Sequence, residues 1–281
     1  MENKKNKYAQ IIKELATRLG FDHCGIAKAQ VLSEDANRLE QWLAKGMQGT
    51  MHYMENHFDM RIDPSKLVPG AKSVITLLLN YFPEQQQTSN APKIAKYAYG
   101  NDYHEVIRAR LKSFLNEIKL SIGEVNGRGF VDSAPVLERS WAQRTGLGWI
   151  GKNGNLINKE SGSFFFIATL ITDLELAYDD PYAKDYCGTC TKCIDNCPTD
   201  AILPGKVVDG KYCRVNAILS PTILLTTNVP LSAIEITFSD LIVLPFTVIQ
   251  SNASGANWRV RLACVLLGMV LSMGHTRVRV A

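Results

Sequence analysis

The sequence predicts a mixed fold of the α+β or α/β class, in which two halves built of strands and helices precede a small cysteine-rich segment. Two apolar runs, at 71–81 and 163–172, have the composition of strands that are buried on both faces. The apolar residues of 8–19 and 104–118 recur with helical period instead, which predicts helices. We expect domains at 1–178 and 179–220, followed by an atypical tail at 221–281.

The first half contains a helix, a short strand and a second helix. Gly20 is expected to end the first helix, and 21–27 reads as the strand. Within it, Cys24 is expected to be a small core residue, with a reactive thiol as the alternative. Ser33 is expected to cap the second helix, which ends at Gly46.

The segment 47–60 is rich in methionine, histidine and aromatic residues, and two interpretations stay open. It is either a helix that packs soft side chains into the core or one wall of a pocket for a bulky cofactor. His52 and His57 are candidates for metal ligation, although isolated histidines more often make ordinary hydrogen bonds.

The second half carries an aspartate directly after a short strand. Ligands often bind beyond strand ends, which favours a functional role for Asp132, but this residue could equally cap the helix that follows. The next stretch, 144–155, holds four glycines and fits neither the dinucleotide nor the P-loop template. These glycines either let the backbone approach a ligand closely or form a long turn.

Four cysteines follow the ferredoxin spacing C-x2-C-x2-C-x3-C, with Pro198 after the last of them. Zinc more often uses two separated pairs, and structural thiols are the third interpretation. The spacing therefore predicts a 4Fe–4S cluster, with these cysteines and one that follows closely as ligands: Cys187, Cys190, Cys193, Cys197 and Cys213.

Composition sets broad limits on location and partners. The chain has 281 residues and a net charge of +4, which permits a nucleic-acid partner without arguing for one. The cysteine pattern is typical of metal binding in a reducing compartment, and the charged N-terminus has no apolar signal-peptide core. We therefore expect a cytoplasmic protein.

Several segments occur in the order of a known family: Arg61-Ile-Asp-Pro, Tyr99-Gly-Asn-Asp-Tyr-His, Val131-Asp-Ser-Ala-Pro-Val-Leu-Glu-Arg, Gly148-Trp-Ile-Gly-Lys-Asn, Gly162-Ser-Phe-Phe-Phe and the cysteine motif. Over roughly residues 8–220 the sequence resembles the tRNA epoxyqueuosine reductases. The aspartate segment and the cysteine motif together make the resemblance specific.

The resemblance implies a cobalamin-binding domain like that of reductive dehalogenases and a small ferredoxin-like iron–sulfur domain with two 4Fe–4S clusters. It implies reduction of epoxyqueuosine to queuosine in the anticodon loop of tRNA, the last step of queuosine synthesis. Asp132 matches the proton donor. The residues that would line the cofactor are Arg61, Lys96, Tyr97, Asp132, Lys152, Asn153 and Asn155. We expect a monomer that takes electrons from an unidentified donor and does not bind a membrane.

The match stops near Ser220. In the family, the first three motif cysteines bind one cluster with a fourth ligand from a later cysteine group, and Cys197 and Cys213 belong to the second cluster. That later group is missing, and Cys264 is the only cysteine that follows Cys213. We therefore expect one complete cluster or fewer, and the abrupt change of composition suggests a change of reading frame. The apolar run at 262–273 is too short to span a bilayer, so membrane association is the weaker alternative.

A second functional class stays open. The chain could be a corrinoid-binding iron–sulfur electron-transfer protein without tRNA chemistry. Asp132 distinguishes the two, because an electron carrier needs no acid beside its cofactor, whereas opening an epoxide does.

Overall fold

The structure is a computed structural model, and it describes residues 2–85, 95–213, 247–251, 258–262 and 276–278. The helices are α1 (Glu2–Arg18), α2 (Ser33–Ala44), α3 (Phe58–Ile62), α4 (Tyr103–Ile122), α5 (Glu138–Arg144) and α6 (Lys192–Asp195). The strands are β1 (His23–Lys28), β2 (Ser73–Asn80), β3 (Gly127–Phe130), β4 (Trp149–Ile150), β5 (Leu156–Ile157), β6 (Phe165–Thr172), β7 (Ile202–Leu203), β8 (Val207–Val208), β9 (Thr247–Ser251), β10 (Trp258–Leu262) and β11 (Thr276–Val278). Short 3-10 turns lie at His52–Met54, Pro64–Lys66 and Lys96–Ala98.

A four-stranded sheet in the order β1-β2-β6-β3 forms the centre of the fold. β2 pairs with β6 along its whole length, from Ser73 opposite Thr172 to Asn80 opposite Phe165. Each neighbouring pair in this sheet is antiparallel. The mixed fold predicted from the sequence is confirmed, and the antiparallel pairing makes it α+β.

The two apolar runs are buried strands because helices cover both faces of the sheet. The first six residues of β2 are buried. On one face Ile75 and Leu77 pack with Ile12 of α1 and Phe114 of α4. On the other face Val74 packs with Trp141 of α5. Alternate residues of one strand therefore serve two separate core layers.

The helix expected over 47–60 does not form. The chain makes turns, the 3-10 turn at His52–Met54 and only then the short helix α3. Gly46, Gly49 and His57 all have positive φ, at 61°, 57° and 57°, which interrupts a right-handed helix. Ser33 is also not a cap, because Leu32 occupies the N-cap of α2 and no side chain caps it.

The segment that follows the cysteine motif packs against the end of α2. The backbone N–H of Gly210 donates to the Met47 carbonyl at 2.7 Å, and the Trp42 indole N–H donates to the Val208 carbonyl at 2.8 Å. A Cβ atom on Gly210 would lie 2.6 Å from the Met47 carbonyl oxygen. Glycine is therefore required for this close approach of two backbones.

The expected boundary near 220 and most of the tail lie outside the described residues. Within 221–281 the structure describes β9, β10 and β11, which form a three-stranded antiparallel sheet. Across the part of the chain that the structure describes, no helix combines the length and the apolar character needed to cross a bilayer.

Candidate active site

Asp132 lies two residues beyond the end of β3, in a tight turn that follows this edge strand of the sheet. Its φ is 55°, a left-handed conformation that aspartate tolerates better than most residues. Its backbone N–H donates to Oε1 of Glu138 at 2.9 Å, and its side chain is 60% exposed. Leu137, not Asp132, is the N-cap of α5. The capping interpretation is therefore wrong, and the carboxylate is free to face a ligand.

Tyr103 and His104, at the start of α4, approach Asp132, and Asp102 holds His104 in place. Asp102 is the N-cap, and it accepts hydrogen bonds from the His104 backbone N–H at 2.9 Å and from Nδ1 of the same ring at 2.8 Å. The Tyr103 hydroxyl donates to Oδ2 of Asp132. Nε2 of the buried His104 lies 3.6 Å from that same oxygen. One helix terminus thus holds a second carboxylate, an imidazole and a phenol beside Asp132.

The electrostatic environment fixes the charge of the groups around Asp132. Partial burial raises the pKa of Asp102, but the two hydrogen bonds from His104 outweigh it and hold the pKa below its usual value. Burial and the hydrogen bond to Asp132 raise the pKa of the Tyr103 hydroxyl far above its usual value. Desolvation, assisted by the Asp132 charge, raises the pKa of Glu138 to about 8. At neutral pH Asp102 is ionised, Tyr103 keeps its proton and Glu138 is largely protonated.

Aromatic rings form a wall next to this acid. The Tyr103 ring stacks on Phe166 with centroids 4.1 Å apart, and Tyr97 meets Tyr103 edge-on at 6.3 Å. Burial raises the pKa of both Tyr53 and Tyr97, and the Asp132 charge adds to the effect. Tyr53 and Tyr97 are nevertheless 39% and 37% exposed. The wall therefore offers partly exposed aromatic surface to a ligand near Asp132.

Several residues predicted to line a cofactor make protein contacts instead of pointing freely into the site. Arg61 is buried, and its guanidinium donates to the carbonyls of Tyr53 at 2.7 Å and Asn56 at 3.1 Å. Lys96 lies over the Phe82 ring, 3.8 Å from its centroid. Arg61 thus supports the loop that carries Tyr53, while Lys96 packs on the aromatic ring of Phe82.

Lys152 connects the glycine-rich stretch to the cysteine motif. Its Nζ donates to the carbonyls of Gly188 at 2.8 Å and Cys190 at 2.9 Å. Asn153 accepts a hydrogen bond from the backbone N–H of Asn155 at 3.2 Å, which closes the turn between β4 and β5. The structure therefore places these three predicted residues on the hairpin that faces the cysteine loop.

The glycines of this stretch allow close packing within the protein. A Cβ on Gly148 would lie 2.2 Å from the Ile157 carbonyl oxygen, in the partner strand of the same hairpin. The sequence left open a close approach of the backbone to a ligand or a long turn, and at Gly148 the close approach is to the protein's own backbone.

Of the four motif cysteines, Cys193 lies in α6 and the other three lie on the loops that flank it, and their side chains do not converge on one point. Among the residues that the structure describes, no three His, Cys, Asp or Glu side chains are close enough to hold a metal ion. Cysteine thiolates are still suitable ligands for iron. Backbone N–H groups, that of Thr199 foremost, lower the pKa of the Cys197 thiol and so favour the thiolate that binds a metal. The Trp149 indole N–H points at Sγ of Cys187, at 3.4 Å.

The isolated candidates behave as ordinary residues. Cys24 packs against the core, and its removal from solvent raises the pKa of its thiol to about 12, which makes it unreactive at neutral pH. The exposed His52 lies 3.5 Å from Glu55. The core interpretation of Cys24 is confirmed.

Tyr103, His104 and Glu138 were not predicted as site residues. All three lie in segments that carry the resemblance, but nothing in the local pattern separates them from core residues. The sequence signal that comes nearest is Asp102, a residue type that favours the N-cap position, directly before the helix, but it does not indicate a role for Tyr103 or His104.

Comparison with known proteins identifies the family. The family model described as "Epoxyqueuosine reductase QueG, DUF1730" matches residues 61–133. The epoxyqueuosine reductase of Cyclobacterium marinum is 61% identical over 209 residues, which is 74% of this chain and 67% of that protein.

Solved structures agree with this match. Epoxyqueuosine reductase from Streptococcus thermophilus superposes with a TM-score of 0.66 at 30% identity, over 73% of this chain and 56% of that one. A reductase solved with an epoxyqueuosine-modified tRNA-Tyr stem loop gives the same TM-score at 29% identity, with the same coverage. This chain thus spans little more than half the length of the solved reductases.

A more distant likeness concerns the fold alone. A catabolic reductive dehalogenase has a TM-score of 0.50 at 19% identity, over 74% of this chain and 29% of that one. The expected reductive-dehalogenase-like architecture is therefore present. The Cyclobacterium marinum reductase is 61% identical and is covered to 67% of its length, and this similarity shows that the chain belongs to the epoxyqueuosine reductase family.

Proposed function

We propose that this chain reduces epoxyqueuosine in the anticodon loop of tRNA to queuosine and that Asp132 is its proton donor. The observation that carries the proposal is the placement of Asp132, which is exposed, oriented by Tyr103 and Glu138, and next to an aromatic wall. An electron carrier has no use for an acid held in this way. One solved relative contains an epoxyqueuosine-modified tRNA stem loop, which supports tRNA as the substrate.

The aromatic wall suits cobalamin. A corrin ring needs a broad apolar face, and Tyr53 and Tyr97, which both feel the charge of Asp132, are partly exposed. Side chains with amide or cationic groups suit the amide and phosphate groups at the edge of the cofactor. In the proposed site these are Lys96, Lys152, Asn153 and Asn155, while Arg61 supports the loop that carries Tyr53. Bound there, cobalamin would supply electrons for cleavage of the epoxide carbon–oxygen bond.

The part of the protein in this chemistry is proton delivery. An epoxide oxygen leaves poorly as an alkoxide, so an acid has to protonate it as the bond breaks. Asp132 is the exposed acid of the site, and its carboxylate, once formed, keeps the Tyr103 hydroxyl as a hydrogen-bond donor. A hydrogen bond from the Tyr103 hydroxyl stabilises the newly formed Asp132 carboxylate and so makes release of the proton easier.

We also propose that 1–178 forms the cobalamin-binding domain and that 179–220 forms the iron–sulfur domain. Cys187, Cys190 and Cys193 would bind one 4Fe–4S cluster, and Cys197 with Cys213 would contribute to a second. The contacts of Lys152 and Trp149 with the cysteine loop support this arrangement, because they attach the loop to the hairpin at 149–157. The tail at 221–281 is an atypical segment in this scheme, and we expect a monomeric cytoplasmic protein.

The test combines cofactor binding with nucleoside analysis. Anaerobic titration of the full chain with cob(II)alamin is expected to give a base-off absorption spectrum. Epoxyqueuosine-containing tRNA is then incubated with the loaded protein and titanium(III) citrate, which reduces cobalamin without needing the clusters. Mass spectrometry of the digested tRNA should detect queuosine. Cobalamin binding without queuosine would favour the electron-transfer alternative, and absence of any spectral change would overturn the cobalamin site.

A further inference from the structure

The start of α4 brings an imidazole to the carboxylate that we assign as the acid. The His104 ring is 6% exposed and is enclosed by two carboxylates. Asp102 lies 2.8 Å from its Nδ1, and Asp132 lies 3.6 Å from its Nε2. The 3.6 Å separation exceeds a hydrogen bond, but a small rotation of either side chain closes it, and such contacts often tighten when a substrate binds.

Asp102 determines which nitrogen of the ring carries the proton. This ionised carboxylate can only accept hydrogen bonds, so Nδ1 of His104 is the protonated nitrogen. Nε2 is then the nitrogen that gains or loses a proton, and it is the one that faces Asp132. The same logic, in which a carboxylate fixes one ring nitrogen and frees the other for proton transfer, operates wherever histidine serves as a general acid or base.

The reaction needs a second proton. Reduction of an epoxide to an alkene takes up two electrons and two protons and releases water, whereas one carboxylic acid holds one proton. We propose that His104 supplies the second proton: after Asp132 has protonated the epoxide oxygen, the imidazolium passes its Nε2 proton to Oδ2 of Asp132. This inference rests on the proposed function of Asp132.

The two protons and two electrons of the reduction are all accounted for. Asp132 first loses a proton to the oxygen of the opening epoxide and then regains one from Nε2 of His104. It delivers this second proton to the same oxygen, which leaves as water. The electrons come from the reduced cofactor. At the end Asp132 is a carboxylate and His104 is neutral with its proton on Nδ1, and solvent restores both.

Other groups near His104 and Asp132 are less suited to this task. The Tyr103 hydroxyl contacts Asp132, but the raised pKa means that it keeps its proton. Glu138 holds a proton at neutral pH, yet its carboxyl group accepts a hydrogen bond from the backbone N–H of Asp132 and does not donate one to the Asp132 carboxylate. Arg108 acts on Asp102 by its charge and reinforces the ionised state. Among these groups, His104 is the one whose ring nitrogen lies 3.6 Å from Oδ2 and whose protonated form becomes neutral when it gives up a proton.

The first test observes the ring without relying on turnover. The full chain is labelled with ¹⁵N-histidine, and the two ring nitrogens are followed by long-range ¹H–¹⁵N NMR. His104→Gln assigns the signal by its disappearance from the five histidines of the chain. We expect the Nδ1–H form of neutral His104 in the parent and a loss of this preference in Asp102→Asn. A neutral parent ring that carries its single proton on Nε2 instead of Nδ1 would overturn the proposal whether or not the chain reduces tRNA.

The second test measures single turnovers with chemically reduced, cobalamin-loaded protein across pH. In His104→Gln the second proton has to come from solvent, so we expect a rate loss of about 10-fold near neutral pH that grows as the pH rises. His23→Gln, which removes a histidine that contacts Ser161 and not Asp132, should match the parent. A loss in His104→Gln that is equal at every pH would show a purely structural role and overturn the relay. A pH-dependent loss in Glu138→Gln with none in His104→Gln would assign the second proton to Glu138 and also overturn it.

Discussion

The Tyr103 hydroxyl donates a hydrogen bond to Oδ2 of Asp132, although the two residues are 29 positions apart. This contact joins the start of α4 to the turn after β3, and the stack of Tyr103 on Phe166 fixes the ring that makes it. A phenol that keeps its own proton is suited to stabilise the carboxylate left after Asp132 has given its proton away.

Tyr103→Phe should therefore slow turnover while leaving the aromatic stack in place. A hydrogen bond to a charged group contributes about 1.5–3 kcal/mol, so we expect a loss of roughly 10- to 100-fold in kcat. The measurement is queuosine formation in single turnovers. Tyr81→Phe is the matched control, because its ring also packs on Phe166, at 4.7 Å, without donating to the acid. Equal effects of the two substitutions would assign Tyr103 a packing role only.

Asp132→Asn tests the acid directly. Asparagine keeps the size and polarity of the side chain but cannot donate an acidic proton, so activity should fall by roughly 10²- to 10⁴-fold. Cobalamin binding, followed by the base-off spectrum, should persist because many other residues would contact the cofactor.

Two results would contradict this role. Loss of cobalamin binding in Asp132→Asn would make Asp132 a residue that positions the cofactor. Full activity would remove it from the mechanism.

Periodicity and composition sufficed for much of the fold. β2 and β6 were predicted from their apolar runs, because strands buried on both faces have near-continuous hydrophobic sequences. The direction of their pairing was not predictable in this way, since burial does not depend on it. The failure at 47–60 has a backbone cause: glycines and His57 take left-handed conformations that side-chain composition does not reveal.

The site was partly predictable for a different reason. Asp132 follows a strand within its own segment, so sequence order was enough to single it out. The roles of Tyr103 and His104 depend on packing between α4 and β3, which brings distant segments together and leaves no local signature. Arg61 carries a charge that suggested an exposed ligand contact, yet its donors are used by two backbone carbonyls.

Glu138 should make stability depend on pH. Its pKa is about 8 in the folded protein, above the ordinary glutamate value of 4.5, so the folded state binds this proton more tightly. The resulting stabilisation is fully present below about pH 4.5 and is lost as the pH rises towards 8. We expect a contribution of about 2 kcal/mol, below the full value of the shift because the residue is partly exposed.

The measurement is urea unfolding at several pH values. Glu138→Gln keeps the acceptor for the Asp132 N–H but cannot titrate, so the decline in unfolding free energy between about pH 5 and pH 8 should be smaller than in the parent. Identical slopes for the two proteins would mean that Glu138 titrates near its ordinary value.

Asp35 should be important for the attachment of α2 to α5. This buried carboxylate accepts hydrogen bonds from Arg144 at 2.7 Å and Ser140 at 2.9 Å. Asp35→Ala would leave the Arg144 guanidinium without this partner, and we expect a loss of about 2–3 kcal/mol in unfolding free energy. Arg38→Ala is the control, because Arg38 is 68% exposed and its ion pair with Asp35 should contribute less than about 1 kcal/mol. Similar denaturation midpoints for both variants would contradict a special role for the buried pair.

Iron content should fall short of two full clusters. Two 4Fe–4S clusters hold about eight iron atoms and use cysteine ligands. The five cysteines at 187–213 supply three ligands to one cluster and two to the other in the proposed assignment, and Cys264 is the only cysteine beyond them. We expect about four iron atoms or fewer per chain after anaerobic reconstitution with iron and sulfide. Replacing Cys187, Cys190 and Cys193 with serine should remove most of this iron, whereas Cys24→Ser, which changes a core thiol, should leave it unchanged. A reconstituted parent with about eight iron atoms would show that the second cluster finds ligands elsewhere and that the cysteine assignment is wrong.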